Sequence, residues 1–306
     1  MTSNLDYILP QVDPELIKQE LTRDKFVRNT NKLENEIYVV NHYNSPNIMQ
    51  EIGRLRELTF ASSGGGTGKP VDIDEFDTGS TCYEQLIVYS PEDKEIVGGY
   101  RFIDCAKAVK VGQVNLSTKH YFDFSEEFVS NYLPHTVELG RSWIQPKFQP
   151  KNSRKGLFSL DNLWDGLGAI VVENPRVKYF FGKVTMYQNY DHKAKSMILS
   201  FMHHYFPDNN QLVTPRVALD IDIKNADILT EIEGLEFNEG YKILQKMVKQ
   251  ENTRIPPLIN NYMGLSSTMK TFGTAINKDF GDVDETAILV TIDDIFADKK
   301  ERHLDY

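Results

Sequence analysis

Apolar and polar positions along this 306-residue chain repeat with two periods, and the switches between them outline its elements. In "NIMQEIGRLRELTF", residues 47–60, Ile48, Ile52, Leu55, Leu58 and Thr59 recur at helical spacing behind Ser45-Pro46. That spacing predicts a helix with one buried face. "YEQLIVYSPEDKEIVGGYRFID", residues 83–104, reads as two apolar strands around a Ser-Pro-Glu-Asp turn, a β-hairpin. Nearer the N-terminus, Asp13-Pro14 caps a short helix "ELIKQEL", and "EIYVVNHY" alternates as a strand. Residues 1–44 thus read as an N-terminal extension packed on a domain of residues 45–306. "HTVELGRSWI" is a further strand, followed by a basic stretch, the helix "LFSLDNLWDGLGAIVVEN" and the strand "VKYFFGKVTM". This is a strand, loop, helix, strand unit. Helices at 192–206 and at "NEGYKILQKMVKQ", with strands near "NQLVTP" and at "TAILVTI", complete the pattern. The expected fold is α/β: a mixed, mostly antiparallel sheet flanked by helices, with N- and C-terminal extensions.

Composition narrows the function more than the fold. With 40% hydrophobic and 25% charged residues the chain is ordinary globular material, and a net charge of −10 argues against nucleic acid as a partner. Cys82 and Cys105 are the two cysteines and have neither a disulfide framework nor metal spacing, which points to a reducing cytoplasm. The opening "MTSNLDYILP" lacks the basic and apolar regions of a secretory leader, and no run approaches the length of a membrane span. The expectation is a cytoplasmic protein, with peripheral contact to the inner membrane face left open.

Residues 60–77, "FASSGGGTGKPVDIDEFD", look at first like a phosphate-binding loop. Ser63 stands where such a loop needs its first glycine, and Pro70 stands where it needs a hydroxyl. The stretch is better read as a mobile cover over an acceptor site. Behind it lie acids and arginines spread over four segments: Arg56, Asp72, Asp74, Asp77, Arg101, Glu138 and Arg141, with Phe60 one turn after Arg56. Carboxylates can hold an ammonium and take its proton, and an arginine fork can hold a carboxylate, so the set suits an amino-acid substrate. An ion-pair network pinning the glycine loop to the sheet is the structural alternative. Strand alternation puts Glu138 and Arg141 on opposite faces of "ELGR". Lys147, Lys151, Arg154 and Lys155 form a basic loop before a helix, suited to phosphate and to an acidic carrier protein. No histidine near Cys82 in sequence makes it a nucleophile, "HHYFPD" offers only an isolated His203–Asp208 spacing, and no metal site is expected around His192, His203 and His204.

The pieces "GRLRELTF", "DIDEFD", "QLIV", "IVGGYRFI", "VELGRSWIQPKF", "LWDGLGAIVV", "YFFGKVTM", "IPPLINNYMGLSS" and "KDFGDVDETAILV" occur in that order. In that order the chain resembles the GNAT-fold amino-acid N-acyltransferases of ornithine-lipid and glycine-lipid synthesis, often labelled putative hemolysins. More distantly it is similar to acyl-homoserine-lactone synthases. The resemblance implies transfer of a fatty acyl chain, often 3-hydroxylated, to the α-amino group of an amino acid. The donor it implies is the acyl-phosphopantetheine of acyl carrier protein, or acyl-CoA, with no permanently bound cofactor. It implies catalytic roles for Glu138, Asp72 and Asp74, and substrate binding by Arg56, Phe60, Asp77, Arg101 and Arg141. Donor binding would fall to Trp143, Ile144, Lys147, Lys151, Arg154 and Lys155, with backbone N–H groups of the strand 137–144 facing the thioester oxygen. The synthases' tryptophan between the phenylalanine and the first acid is missing here, which favours the lipid branch. Signal synthesis and a non-enzymatic, membrane-active role are the alternatives.

Overall fold

The computed structural model describes residues 5–110, 113–219, 222 and 224–303. Residues 1–4 of the stretch read for a leader lie outside the described residues. The chain begins with α1 (Pro14–Glu20), whose Asp13 carboxylate accepts from the Glu15 N–H. β1 (Phe26–Asn29), β2 (Glu36–Val40), α2 (Pro46–Ala61) and the one-turn α3 (Glu75–Thr78) follow. β3 (Glu84–Ser90) and β4 (Glu95–Asp104) form the hairpin expected from their alternation. After α4 (Cys105–Ala108) come three short strands: β5 (Val109–Lys110), β6 (Gln113–Val114) and β7 (Phe122–Phe124). β8 (Thr136–Ile144), α5 (Gly156–Glu173) and β9 (Tyr179–Met186) make the crossover unit. α6 (His192–Tyr205), β10 (Val213–Pro215), α7 (Ala226–Glu231), α8 (Phe237–Gln250) and α9 (Pro257–Met263) lead to β11 (Lys270–Asn277), β12 (Val283–Thr291) and α10 (Ala297–His303).

Eight strands form one sheet in the order β1-β2-β3-β4-β8-β9-β12-β11, antiparallel throughout except for the parallel pair β8–β9. The first 44 residues therefore contribute two strands to the sheet edge. β10 pairs with β7 outside the main sheet.

The central strands of this sheet send alternate side chains to two apolar layers. On one face Leu163 and Leu167 of α5, with Ile198 and Phe201 of α6, pack on Leu139, Phe180, Ile288 and Val290. On the other, Ile48, Ile52 and Phe60 of α2 pack on Ile87 and Trp143, and Phe122 and Phe128 pack on Phe181 and Leu289. Each fully buried side chain of this size stabilises the fold by about 1.5–3 kcal/mol.

One local feature positions the site. β8 and β9 pair from Thr136↔Tyr179 only as far as Leu139↔Gly182. At that last pair a Cβ on Gly182 would lie 2.5 Å from the Leu139 carbonyl oxygen, so only glycine permits the approach. Beyond it β8 stays with β4, where Trp143 faces Gly99, and β9 stays with β12, where Lys183 faces Ala287. The sheet splits between its two parallel strands.

Candidate active site

A cavity of about 290 Å³ occupies the split. Leu139, Ile144, Leu160, Phe180, Ile288 and Val290 line it, and all belong to the layer under α5 and α6. Arg101, Ser117, Arg141, Lys183, Thr185 and Glu285 also line it, and strand alternation puts Lys183, Thr185 and Glu285 on the opposite face. The cavity thus has an apolar arm on one side of the sheet and a charged arm on the other.

β8 carries a bulge at this point: Arg101 faces Gly140 and Gly99 faces Trp143, so Tyr100 alone opposes both Arg141 and Ser142. Arg141 absorbs the extra residue at φ +45°, in the left-handed region that non-glycine residues rarely occupy. The bulge reverses strand parity and corrects the expectation that Glu138 and Arg141 point to opposite faces. Both point to the face bearing α2, Arg141 toward Asp72 and Glu138 toward Ser117.

Arg141, Arg101 and Arg56 meet Asp72, Asp74 and Asp77 in one balanced network. Asp72 accepts from Arg56 Nε at 3.1 Å and from Arg141 Nε at 2.8 Å. Asp77 accepts from Arg56 Nη1 at 3.2 Å, Arg101 Nη1 at 3.3 Å and Gln85 Nε2 at 2.9 Å. Both oxygens of Asp74 lie 2.8 Å from Arg101 Nη1, while Asp74 and Asp77 also close a capping box at the start of α3. Burial alone would raise the Asp72 carboxyl, yet Arg141 and Arg56 hold it below the usual carboxylate range. Burial opposes the Arg56 charge in the same way, and Asp72 and Asp77 overcome it. Arg101 and Arg141 line the cavity and the three aspartates do not, so the acids orient the arginines that face the site.

A sequence profile described as an acetyltransferase (GNAT) domain matches residues 55–159, from α2 through the charged network and β8 to the start of α5. Two curated proteins, each named glycine N(alpha)-acyltransferase, are alike over nearly their whole length. That of Bacteroides thetaiotaomicron is 49% identical over 303 residues, covering 98% of this chain and 90% of the relative. That of Phocaeicola vulgatus is 48% identical over 304 residues, covering 98% and 93%. The chain belongs to the GNAT-fold N-acyltransferases. No solved structure matches it.

Within this acyltransferase the remaining sequence candidates fall into distinct places. Phe60, Trp143 and Ile144 line the cavity. Glu138 does not; it is fully buried behind Ser117, whose Oγ donates to it at 2.6 Å, and Thr118 donates through Oγ1 and N. Burial pushes the Glu138 carboxyl up. Of the basic loop, Lys147 is held by Glu95 at 2.8 Å and Lys155 by Glu92 at 2.7 Å, so acids of the β3–β4 turn and the first residue of β4 offset half of its charge. Lys151 and Arg154 are exposed and form no ion pair with a described acid.

The glycine loop, expected from the sequence as a mobile cover, is hydrogen-bonded to the helix before it. It wraps a carboxylate of its own protein: Glu57, fully buried in α2, accepts from Thr67 N and Oγ1 at 2.8 Å and from Gly68 N at 2.9 Å. Gly66 and Gly68 take positive φ to present these donors. The loop's likeness to an anion cradle is real, and Glu57 fills it.

Burial and Glu84 push the Cys82 thiol up, away from a thiolate. Asp208 accepts from the Asn210 and Leu212 amides, not from His203. Sequence reasoning missed Lys183 and Glu285, which line the charged arm 2.5 Å apart.

Proposed function

We propose that this acyltransferase moves a fatty acyl chain, 3-hydroxylated as the resemblance implies, from the phosphopantetheine thioester of acyl carrier protein to the α-amino group of glycine in aminolipid synthesis. The observation that carries the reading is the two-armed cavity at the split between β8 and β9. An amphiphilic product, an acyl chain joined to an amino acid, needs both linings, one on each side of the bond being formed. Glycine is favoured as acceptor because the two relatives bear that name.

The geometry supports direct attack by the amine. The acyl chain occupies the apolar arm, and the thioester carbonyl lies beside residues 140–144, where β8 has no strand partner across the gap. Backbone N–H groups there can stabilise the oxygen as it gains charge. Arg101 and Arg141, held by the aspartates, hold the acceptor carboxylate as a fork holds an anion. Exposed Lys151 and Arg154 steer an acidic carrier protein toward the cavity. Such a donor places the enzyme in the cytoplasm. No helix among the described residues is long and apolar enough to cross a membrane. Signal synthesis would require S-adenosylmethionine as acceptor, and product mass separates the two.

The test supplies purified enzyme with 3-hydroxyacyl carrier protein or acyl-CoA and a panel of amino acids, and reads free thiol and product mass. The expected result is thiol release that depends on glycine and is faster from the carrier protein. Thiol release independent of any amine, or none, overturns the proposal.

A further inference from the structure

We propose that Glu285, held by Lys183, takes the proton from the acceptor's ammonium. The inference rests on reading the cavity as a site of amine acylation, not on glycine being the amine.

A protonated amine cannot attack a thioester, so the site needs a carboxylate within reach of the nitrogen. Among the described residues lining the cavity, Glu285 is the one carboxylate. The network aspartates are engaged by arginines, and Glu138 lies behind Ser117. Glu285 is 3% exposed, and a buried carboxylate requires a counter-charge. Lys183 supplies it: Glu285 faces Thr185 across the β12–β9 ladder and Lys183 faces Ala287, so the two lie diagonally on one face, with Nζ 2.5 Å from Oε2. The same ammonium lies 4.5 Å from the centroid of the Tyr121 ring, whose hydroxyl donates to Asn277 at 2.7 Å. Lys183 is therefore a positioning residue, fixed from two sides.

The other groups facing Glu285 do not compete for the proton. Burial pushes the Tyr121 and Tyr187 phenols up, and the Glu285 charge adds to this, so both stay protonated. Arg101 and Arg141 are cations within the network. Asp284, on the opposite face of β12, pairs with Lys195.

In the step, the ammonium gives one proton to Glu285, and the freed lone pair attacks the thioester carbon. The N–C bond forms as the carbonyl pair moves to oxygen. Collapse breaks the C–S bond with its pair leaving on sulfur. A second proton from nitrogen ends on sulfur as thiol, and the first leaves Glu285 for solvent.

The experiment measures kcat/KM against pH by thiol release for wild type, Glu285→Gln and the double variant Lys183→Met/Glu285→Gln. Glu285→Gln is expected to fall by about 10²–10⁴-fold at neutral pH. Its rate should then climb by about tenfold per pH unit, following the free amine, where wild type levels off. The double variant removes both buried charges; it is expected to regain thermal stability and remain as slow as the single variant. Glu285→Gln within a few-fold of wild type, or recovery of activity in the double variant, overturns the inference. If wild type acylates another amino acid instead, the glycine assignment fails and the same profile with that amino acid decides on Glu285. Wild type without amine-dependent release overturns both.

Discussion

Replacing Asp72 with asparagine removes one charge from the centre of the buried network and leaves its shape. Asp72 is 1% exposed and accepts from two guanidiniums, Arg56 at 3.1 Å and Arg141 at 2.8 Å. After Asp72→Asn, Arg56 keeps only Asp77, at 3.2 Å, while remaining fully buried. Breaking a buried pair from one side costs about 3–5 kcal/mol, because it leaves a charge without compensation. The retained Asp77 contact sets the lower end of that range. With unfolding entropy near 2.1 cal/mol/K per residue, a chain of 306 residues shifts by roughly 1.6 °C per kcal/mol, so at that lower end Tm should fall by about 5 °C. The pH dependence gives a second reading. The Asp72 carboxyl is held low in the folded state, so its contribution is complete above the unfolded value near 3.9 and is lost as pH falls below it. Wild type should lose stability below about pH 4, and Asp72→Asn should lose less over the same interval. Calorimetry at neutral pH and across the acid range reads both effects. A Tm within about 1 °C of wild type, with the acid loss unchanged, would refute the reasoning.

Three further outcomes follow from the geometry. Glu57→Gln leaves the Thr67 and Gly68 donors without a full set of acceptors, so it should cost about 1–3 kcal/mol and speed amide exchange at both residues; unchanged exchange would show that the loop is held elsewhere. Lys151→Glu with Arg154→Glu should raise the apparent KM for carrier protein and weaken its salt dependence, whereas Lys147→Ala with Lys155→Ala should do so less, because Glu95 and Glu92 already neutralise those lysines. Ile288→Trp fills the apolar arm and should shift the preferred donor to shorter chains, read by competition between donors of two lengths.

The helix of residues 46–61, the hairpin and the crossover were legible because each is set by local spacing. β1 was not: its four residues are half-exposed or exposed, with no buried face to impose alternation. β11 was hidden because "KTFGTAIN" is broken by Gly273, and its pairing is with β12. The charged network was readable as a set of residues, since arginines and acids recur in segments of apolar pattern. Its geometry was not, because the bulge at Arg141 arises from the register of β8 on β4. Lys183 and Glu285 meet only because β9 and β12 are neighbours. The one local signal was charge inside largely apolar strands, Lys183 in β9 and Asp284 with Glu285 in β12, where an unpaired buried charge is costly.

The most direct test of the account is a crystal structure with N-(3-hydroxyacyl)glycine bound. The account predicts density through the split between β8 and β9, with the chain against Ile288 and Val290, the carboxylate at Arg101 and Arg141, and the amide nitrogen toward Glu285. Density in a separate hollow lined by Cys82, Glu84 and Lys107, with the split left empty, would contradict it.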